Sequence, residues 1–257
     1  MNIKNTKAYL QLVLGLKANE ALGFRLVTLL AKHVLPNYRF TWPELAWFQD
    51  SRLIKVLTPF DENDGFNAHR KYALRQLLRL TAGIAGDTAE CGVYKGCSSY
   101  IILQANKQSA ADGTYSRTHH VFDSFEGLSK PSGSDGKYWT ANDLSIDEST
   151  VKNNLNEFSN VNLYKGWIPN RFNEISDLTF SFVHVDVDLY EPTFESIKFF
   201  YDRLNSGAIF VCDDYGFLTC PGATAAIHEF LACKREKMVS LPGGGGFFIK
   251  GFLTSSE

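Results

Sequence analysis

From residue 87 onward the sequence alternates between short apolar runs and longer amphipathic stretches, and this alternation restricts the fold more than any other feature. The strand-like runs are DTAECGVY, HHVFDSF, VNLYKGW, FSFVHVDV, AIFVCDDY and GFFIKGF. The helix-like stretches between them are SSYIILQANK, STVKNNLNEF, PTFESIKFFYDRL and GATAAIHEFLACK. Strands that alternate with helices form βαβ units. The pattern therefore predicts an α/β fold with a mostly parallel sheet and helices on both faces.

The segments on either side of this region are different. Apolar residues at helical spacing predict one or two helices in residues 7–33 and a further helix in residues 67–82. Residues 34–66 have a mixed pattern, for which we predict loops with a short helix. Near the end, KMVSLPGGGGFFIKG contains a run of glycines that is also found in phosphate-binding loops. No helix-like stretch follows these glycines, so we predict a hairpin or a flexible connection instead.

Composition excludes several classes of protein. The chain has 26 Lys and Arg against 28 Asp and Glu, without a basic run, which argues against a nucleic-acid partner. It has no stretch of about 18 to 20 apolar residues, so no membrane span is predicted. The apolar stretch 8–16 is interrupted by Gln11 and ended by Lys17, and we do not predict a signal peptide. The 5 cysteines lack CxxC spacing, which favours a reducing compartment and a cytoplasmic protein.

Two of the predicted strands end in pairs of acids. VHVDVDLY places Asp186 and Asp188 after one strand, and VCDDYG places Asp213 and Asp214 after the next. Strand alternation predicts that the first two point to the same side. Ligands bind at the carboxyl ends of strands in such a sheet, and carboxylates this close repel one another unless a cation neutralises them.

Hard oxygen ligands of this kind suit Mg²⁺, Mn²⁺ or Ca²⁺. Our interpretation is a site in which three of the four acids bind a metal ion and one faces the substrate as a base. The alternative is that Asp188 caps the helix that begins near Thr193, while the second pair belongs to an unrelated turn. His184, inside the strand, is predicted to be a core or supporting residue rather than a ligand.

The segment AECGVYKGCSS predicts a strand, a glycine turn and the start of a helix. Gly92 and Gly96 allow a tight turn with close backbone approach, and the free N–H groups of the helix that starts near Ser98 face the turn. The spacing differs from the dinucleotide pattern G-x-G-x-x-G. Glu90 would repel a pyrophosphate but suits a cationic ligand. An ordinary turn, with Ser98 as the helix cap, fits the same residues equally well.

Asp123 ends the next predicted strand, in VFDSFEG. An acid at this place in an α/β nucleotide-binding fold accepts hydrogen bonds from ribose hydroxyls, and this is the interpretation that we favour. The alternative is an aspartate that caps the turn after the strand. A serine hydrolase is not predicted, because the G-x-S-x-G elbow is absent.

Several segments together resemble the macrocin-type O-methyltransferases, which use S-adenosylmethionine to methylate sugar hydroxyls. They are ECGVYKGCSS, FDSFEGL, YKGWIPN, VHVDVDLYEPT, and CDDYG with PGATAAIHEF. The resemblance implies a class I (Rossmann-like) methyltransferase fold with a seven-stranded, mostly parallel sheet. It is confined to the sequence after the first 57 residues, so we predict an N-terminal helical extension, residues 1–57, and a methyltransferase domain, residues 58–257.

The resemblance also implies roles for single residues. It implies that Asp186, Asp213 and Asp214 bind Mg²⁺ and that Asp188 is the general base. The cofactor-binding residues that it implies are Glu90, Gly92, Tyr94, Gly96, Ser98, Ser99, Asp123, Ser124 and Phe125. It further implies that the loop 129–143 covers the active site.

Other functions stay open at this stage. DVD is also a D-x-D motif of metal-dependent glycosyltransferases, although those enzymes need neither the glycine turn nor DDYG. A catechol-type O-methyltransferase would share the metal and the cofactor but take a flat phenol. A non-catalytic binding module would retain acids that are costly without a ligand. We predict a small sugar or glycoside as acceptor, and the apolar N-terminal segment makes a homodimer or higher homo-oligomer plausible.

Overall fold

The computed structural model describes residues 20–34, 45–65 and 67–253. The chain divides into two compact units, Met1–Ile54 and Lys55–Glu257. The boundary predicted between residues 57 and 58 stays a prediction. Part of the first predicted helical segment, residues 7–19, lies outside the described residues.

The helices and strands follow the sequence pattern closely. The helices are α1 (Glu20–Val34), α2 (Ser51–Leu57), α3 (Ala68–Leu80), α4 (Cys97–Ala111), α5 (Glu148–Asn154), α6 (Tyr190–Phe200) and α7 (Pro221–Leu231). The strands are β1 (Asp87–Cys91), β2 (His119–Asp123), β3 (Val161–Lys165), β4 (Phe180–Val185), β5 (Leu204–Cys212), β6 (Val239–Ser240) and β7 (Gly246–Ile249). Each strand-like and helix-like run of the sequence after residue 67 therefore contains an element of the predicted type.

The strands form one seven-stranded sheet in the order β3-β2-β1-β4-β5-β7-β6. Strands β1 to β5 pair in parallel, whereas β7 runs antiparallel to both β5 and β6. This arrangement confirms the predicted fold class. The glycine run joins β6 to β7, where Val239 lies opposite Phe247, which confirms the predicted hairpin.

Strand β4 lies at the centre of the sheet, and all six of its residues are buried. A central parallel strand is covered on both faces, which explains why its sequence is a continuous apolar run. On one face, Phe180 and Phe122 pack against Phe200 of α6. On the other face, Val121 packs in a cluster with Leu103 of α4 and Val151 of α5. Neighbouring residues of β2 thus belong to different cores, as strand alternation requires.

The parallel register brings the carboxyl ends of four strands to one edge of the sheet. Cys91 of β1 lies beside Phe122 of β2 on one side and Val185 of β4 on the other, and Val185 lies beside Cys212 of β5. The glycine turn, Asp123 and both pairs of acids follow directly after these positions. The fold therefore collects the predicted site residues at a single edge.

Two predictions from composition can be compared with the structure. All 5 cysteines lie in the described part of the chain and are free thiols. No helix among the described residues is long and apolar enough to span a membrane. The cytoplasmic location and the homo-oligomeric state stay predictions.

Candidate active site

The glycine turn lies between β1 and α4 and comes very close to the segment after β4. Gly92 has φ +80°, and a Cβ atom added to it would collide with the backbone oxygen of Asp186. Its N–H donates to the carbonyl oxygen of Phe122, at 2.9 Å. Only glycine allows this backbone conformation and this close approach together. The turn and the acid at the end of β4 are therefore in direct contact.

Helix α4 begins at Cys97, and its N-cap is Gly96, with φ +92° and no side-chain cap. The alternative that Ser98 caps this helix is therefore wrong, because Ser98 already lies inside the first turn. Its hydroxyl oxygen instead accepts a hydrogen bond from the Lys71 ammonium group of α3, at 2.6 Å. Both side chains are buried.

Glu90 lies beneath the turn rather than at the surface of the site, with 1% of the residue exposed. One carboxylate oxygen is 2.8 Å from His184 Nδ1, and the other accepts the hydroxyl of Ser99. That hydroxyl is also 3.1 Å from Nε2 of His119. Burial alone would raise the pKa of Glu90, but the neighbouring His119 and His184 outweigh it and lower the pKa to about 2. Glu90 is therefore a buried anion inside a hydrogen-bonded network.

Asp123 connects the glycine turn to the turn after β2. One carboxylate oxygen accepts the N–H of Val93 and the other accepts the N–H of Phe125, both at 2.7 Å. The alternative role of Asp123 in organising a local turn is thus present in the structure. Burial raises the pKa of this carboxyl. Each oxygen retains a further lone pair with which it can accept a ribose hydroxyl.

The remaining cofactor candidates lie in these same two turns. Tyr94 and Phe125 both have positive φ, at 44° and 60°, which is uncommon for residues other than glycine. Tyr94 is 39% exposed, whereas the hydroxyl of Ser124 donates to the carbonyl of Gly127. The nine predicted cofactor residues therefore lie in two adjoining turns or in the strand and helix ends next to them, at one edge of the sheet.

Asp186 and Asp213 lie together, as the pairing of β4 with β5 requires. With His184 they form a group in which one possible ligand atom from each residue lies within 4.8 Å of the others. Arg70 of α3 forms an ion pair with Asp213. Burial would raise the pKa of Asp213, but Arg70 and His184 outweigh it and lower the pKa. Burial and the charge of Asp213 raise the pKa of Asp186 to about 7.

His184 lies between two carboxylates. Its Nδ1 atom faces Glu90, and its Nε2 atom is 3.5 Å from Oδ1 of Asp213. Burial would lower the pKa of His184, but these two acids outweigh it and raise the pKa to about 9. The contact of Nδ1 with Glu90 is what a supporting role for His184 predicts, and this role stays a prediction.

Asp188 and Asp214 form a second group with Cys220. One Asp214 oxygen accepts the backbone N–H groups of Val187 and Asp188, at 3.1 and 2.8 Å. The Cys220 thiol is 3.4 Å from an oxygen of Asp188. Burial raises the pKa of Asp188 to about 6, and burial with the charge of Asp188 raises the pKa of Asp214 well above its usual range.

Two details of the sequence interpretation are corrected at Asp188. Strand β4 ends at Val185 and Asp188 has φ +60°, so strand alternation does not extend over the acids. Asp186 and Asp188 consequently belong to different groups rather than to one strand face. The proposed helix-capping role of Asp188 is also wrong, because the N-cap of α6 is Leu189 and no side chain caps it.

The loop 129–143 is attached to the second group of acids. Trp139 Nε1 lies 3.3 Å from the Cys220 sulfur. Asp135, in the same loop, accepts the backbone N–H of Tyr190 at 2.6 Å, at the beginning of α6. The loop therefore lies next to the acids, which agrees with the covering role that the sequence resemblance implies.

Sequence reasoning missed four side chains of this site: Arg70, Lys71, Trp139 and Cys220. Arg70 and Lys71 are adjacent in the segment HRK at the start of α3, and this was a weak signal because adjacent basic residues are usually solvated. No role was predicted from the sequence for Cys220 or for Trp139. All four reach the site through tertiary packing, not through a local motif.

The acids suit a divalent metal ion. Asp186 and Asp214 both have raised pKa values, caused by burial and by neighbouring acids. Such repulsion falls when a cation binds between the carboxylates, and oxygen donors are the ligands that Mg²⁺ and Mn²⁺ prefer. The chemistry of the donor set fits the ion that the sequence predicted, but the structure divides the predicted ligands. Asp186 and Asp213 lie with His184, whereas Asp214 lies with Asp188 and Cys220.

Comparison with known proteins agrees with this geometry. A family model described as macrocin-O-methyltransferase (TylF) matches residues 68–241. Demethyldecarbamoylnovobiocin O-methyltransferase of Streptomyces niveus is 26% identical over 186 residues, which is 65% of this chain and 69% of the relative. The 8-demethyl-8-(2,3-dimethoxy-alpha-L-rhamnosyl)-tetracenomycin-C 4'-O-methyltransferase of Streptomyces olivaceus is 27% identical over 163 residues, 59% of this chain and 60% of the relative.

Solved structures share the fold at low sequence identity. The O-methyltransferase NovP has a TM-score of 0.59 and 22% identity, with 77% of this chain and 96% of that chain covered. The calicheamicin methyltransferase CalS11 has a TM-score of 0.63 and 20% identity, with 85% and 97% covered. These similarities support the class I methyltransferase architecture.

Proposed function

We propose that this chain, which belongs to the macrocin-O-methyltransferase family, transfers a methyl group from S-adenosylmethionine to a hydroxyl of a sugar or glycoside. The observation that carries the proposal is the position of two acid pairs at the ends of neighbouring strands, beside a glycine turn. Family membership makes the chain an O-methyltransferase, which excludes the glycosyltransferase alternative. The sugar acceptor is supported by a relative whose name describes methylation of a rhamnosyl compound.

The two turns supply the proposed cofactor site. Gly92 and Gly96 give the turn its positive-φ backbone, Asp123 is the proposed acceptor for the ribose hydroxyls, and Ser98 lies at the start of α4. Glu90 is a buried carboxylate beneath the turn, where it accepts the hydroxyl of Ser99 in the first turn of α4, and its charge favours a cationic amino group near the turn. The full proposed set is Glu90, Gly92, Tyr94, Gly96, Ser98, Ser99, Asp123, Ser124 and Phe125.

Asp186, Asp213 and Asp214 are the proposed ligands of a Mg²⁺ ion. When bound, such an ion lowers the pKa of the acceptor hydroxyl and orients it for attack. The described residues already compensate part of the negative charge, because Arg70 is paired with Asp213. Asp214 is fixed by the backbone N–H groups that it accepts, so its carboxylate has a defined orientation.

Asp188 is the proposed general base. Its pKa, raised to about 6 by burial, leaves it ionised at neutral pH and able to accept a proton. In the reaction, the acceptor oxygen forms a bond to the methyl carbon as the carbon–sulfur bond breaks, and the hydroxyl proton goes to Asp188. General-base catalysis contributes about 10²–10⁴-fold, and alignment of oxygen and methyl group adds to it.

The proposal is tested first by binding and then by turnover. Calorimetry should give micromolar affinity for both S-adenosylmethionine and S-adenosylhomocysteine. Mass spectrometry should then detect a methylated product, with Mg²⁺, from at least one member of a panel of rhamnosides and other glycosides. No binding of either compound would overturn the proposal. Methylation of a catechol alone would replace the sugar acceptor with a flat phenol.

A further inference from the structure

Lys71 is a buried lysine at the boundary between the cofactor turn and the acid site. Only 5% of the residue is exposed. Among the described residues, its ammonium group has a single hydrogen-bond partner, the hydroxyl oxygen of Ser98 at 2.6 Å. A buried ammonium group without full hydrogen bonding is costly, and an ammonium group has three donors. Two donors of Lys71 are therefore available to a ligand.

The charges around Lys71 keep it protonated without occupying these donors. Burial would lower the pKa of Lys71, but Asp213 and Asp186 outweigh it and raise the pKa above its usual value. Neither acid forms an ion pair with it within 4.0 Å, whereas Arg70, its neighbour in sequence, is already paired with Asp213. Lys71 is thus a charged group with capacity for a further anionic partner.

We propose that Lys71 and Ser98 together bind the carboxylate of the methionine part of S-adenosylmethionine. The inference rests on the proposed function, because the cofactor must bind at the glycine turn. Ser98 lies in the first turn of α4, where free N–H groups also favour an anion. Asp186 and Asp213 lie near Lys71, so a local cation favours the binding of a carboxylate in this region.

A rival role for Lys71 is simply to neutralise the neighbouring acids. The two roles differ in what they predict for a pair of ligands, S-adenosylhomocysteine and its decarboxylated analogue S-adenosyl-3-thiopropylamine. These compounds differ only in the carboxylate. A residue that binds the carboxylate discriminates between them, whereas a residue that neutralises the acids acts on both alike.

The test is calorimetry with both ligands, at one fixed Mg²⁺ concentration, on the wild-type protein, Lys71→Met, Ser98→Ala and the control Lys107→Met. Lys107 is an exposed lysine of α4, so this control removes a lysine charge outside the site. We expect Lys71→Met to weaken the binding of S-adenosylhomocysteine about 10- to 100-fold, which is the usual range for the loss of a hydrogen bond to a charged group. The affinity of the decarboxylated analogue for Lys71→Met should equal or exceed its affinity for the wild-type protein. Ser98→Ala should show the same selectivity with a smaller loss.

Three results would overturn the inference. Lys71→Met could weaken the binding of both ligands by the same factor, which would give Lys71 the neutralising role. Alternatively, the substitution could leave the binding of both ligands unchanged. A wild-type protein that binds the two ligands equally well would overturn it without any variant, even if Lys71→Met fails to fold. Failure of the proposed function is distinguished from these results, because the wild-type protein would then bind neither ligand.

Discussion

The guanidinium group of Arg70 lies against the carboxylate of Asp213, so a side chain of α3 already neutralises one of the proposed metal ligands. Arg70 also lies 5.6 Å from the centre of the Phe217 ring. A metal ion bound at Asp213 would share this carboxylate with Arg70. The charge of the acid site is therefore balanced both by the helix before the sheet and by the proposed ion.

The first prediction concerns this ion pair. Arg70→Met should lower the free energy of unfolding by about 2 kcal/mol in EDTA, because removing one partner leaves Asp213 among other acids, although partial exposure of Arg70 reduces the cost. For a chain of this size, such a loss lowers the melting temperature by about 4–8 °C. Added Mg²⁺ should raise the melting temperature more in Arg70→Met than in the wild type.

Thermal unfolding in EDTA and in Mg²⁺ checks this prediction. Arg79→Met is a matched control, because Arg79 is an exposed arginine on the same helix. An equal effect of Mg²⁺ on Arg70→Met and on the wild type would show that Arg70 and the ion do not compensate the same charge.

The second prediction concerns the general base. Asp188→Asn keeps the size of the side chain but cannot accept the proton, so kcat should fall about 10²–10⁴-fold. Affinity for S-adenosylhomocysteine, measured by calorimetry, should change little, because Asp188 lies in the group with Asp214 and Cys220 and not in the cofactor turns. A variant that retains most of its kcat would exclude Asp188 as the base.

The third prediction concerns the contact between Cys220 and Asp188. Cys220→Ala removes the sulfur that lies 3.4 Å from the carboxylate and 3.3 Å from Trp139 Nε1. Because the carboxylate then loses a group that orients it, kcat should fall several-fold while KM for S-adenosylmethionine stays unchanged. Cys220→Ser keeps a hydrogen-bond donor and should recover most of the loss.

Steady-state kinetics on these variants decides the point, with Cys233→Ala as control because Cys233 is exposed. If Cys220→Ser were as slow as Cys220→Ala, the sulfur would contribute packing rather than orientation of the base.

The strands could be predicted because each rests on local chemistry, whereas their order in the sheet was not predicted. A central parallel strand such as β4 is buried on both faces, so its apolar run is unambiguous. Parallel strands end at one edge, so the two pairs of acids were expected to meet if their strands are neighbours, and β4 does pair with β5. The tertiary structure determines where a strand stops. Strand β4 ends at Val185, and alternation therefore failed for Asp188.

The missed residues have a common physical cause. Arg70 and Lys71 belong to α3, which precedes β1 in sequence and reaches the acids only through packing of the folded domain. Trp139 and Cys220 are 81 residues apart and meet only because the loop is attached beside α6. A motif of consecutive residues contains no information about such contacts.

The last prediction concerns the contact between the glycine turn and the acid site. Gly92 and Gly113 both have positive φ, +80° and +69°, so alanine is strained at either position. A Cβ at Gly113 would meet no atom within 4 Å, whereas one at Gly92 would collide with the backbone oxygen of Asp186. Gly113→Ala should therefore cost about 1–2 kcal/mol, the penalty for the backbone conformation alone, and Gly92→Ala clearly more.

Urea unfolding of both variants measures this difference, and calorimetry measures its consequence for binding. Because the clash moves Asp186 as well as the turn, Gly92→Ala should weaken the binding of both S-adenosylhomocysteine and Mg²⁺. Gly113→Ala should weaken the binding of neither. Equal unfolding free energies for the two variants would mean that the segment after β4 can move away from the turn without cost. The cofactor turn and the proposed metal ligand would then be independent of each other, contrary to the contact between Gly92 and Asp186.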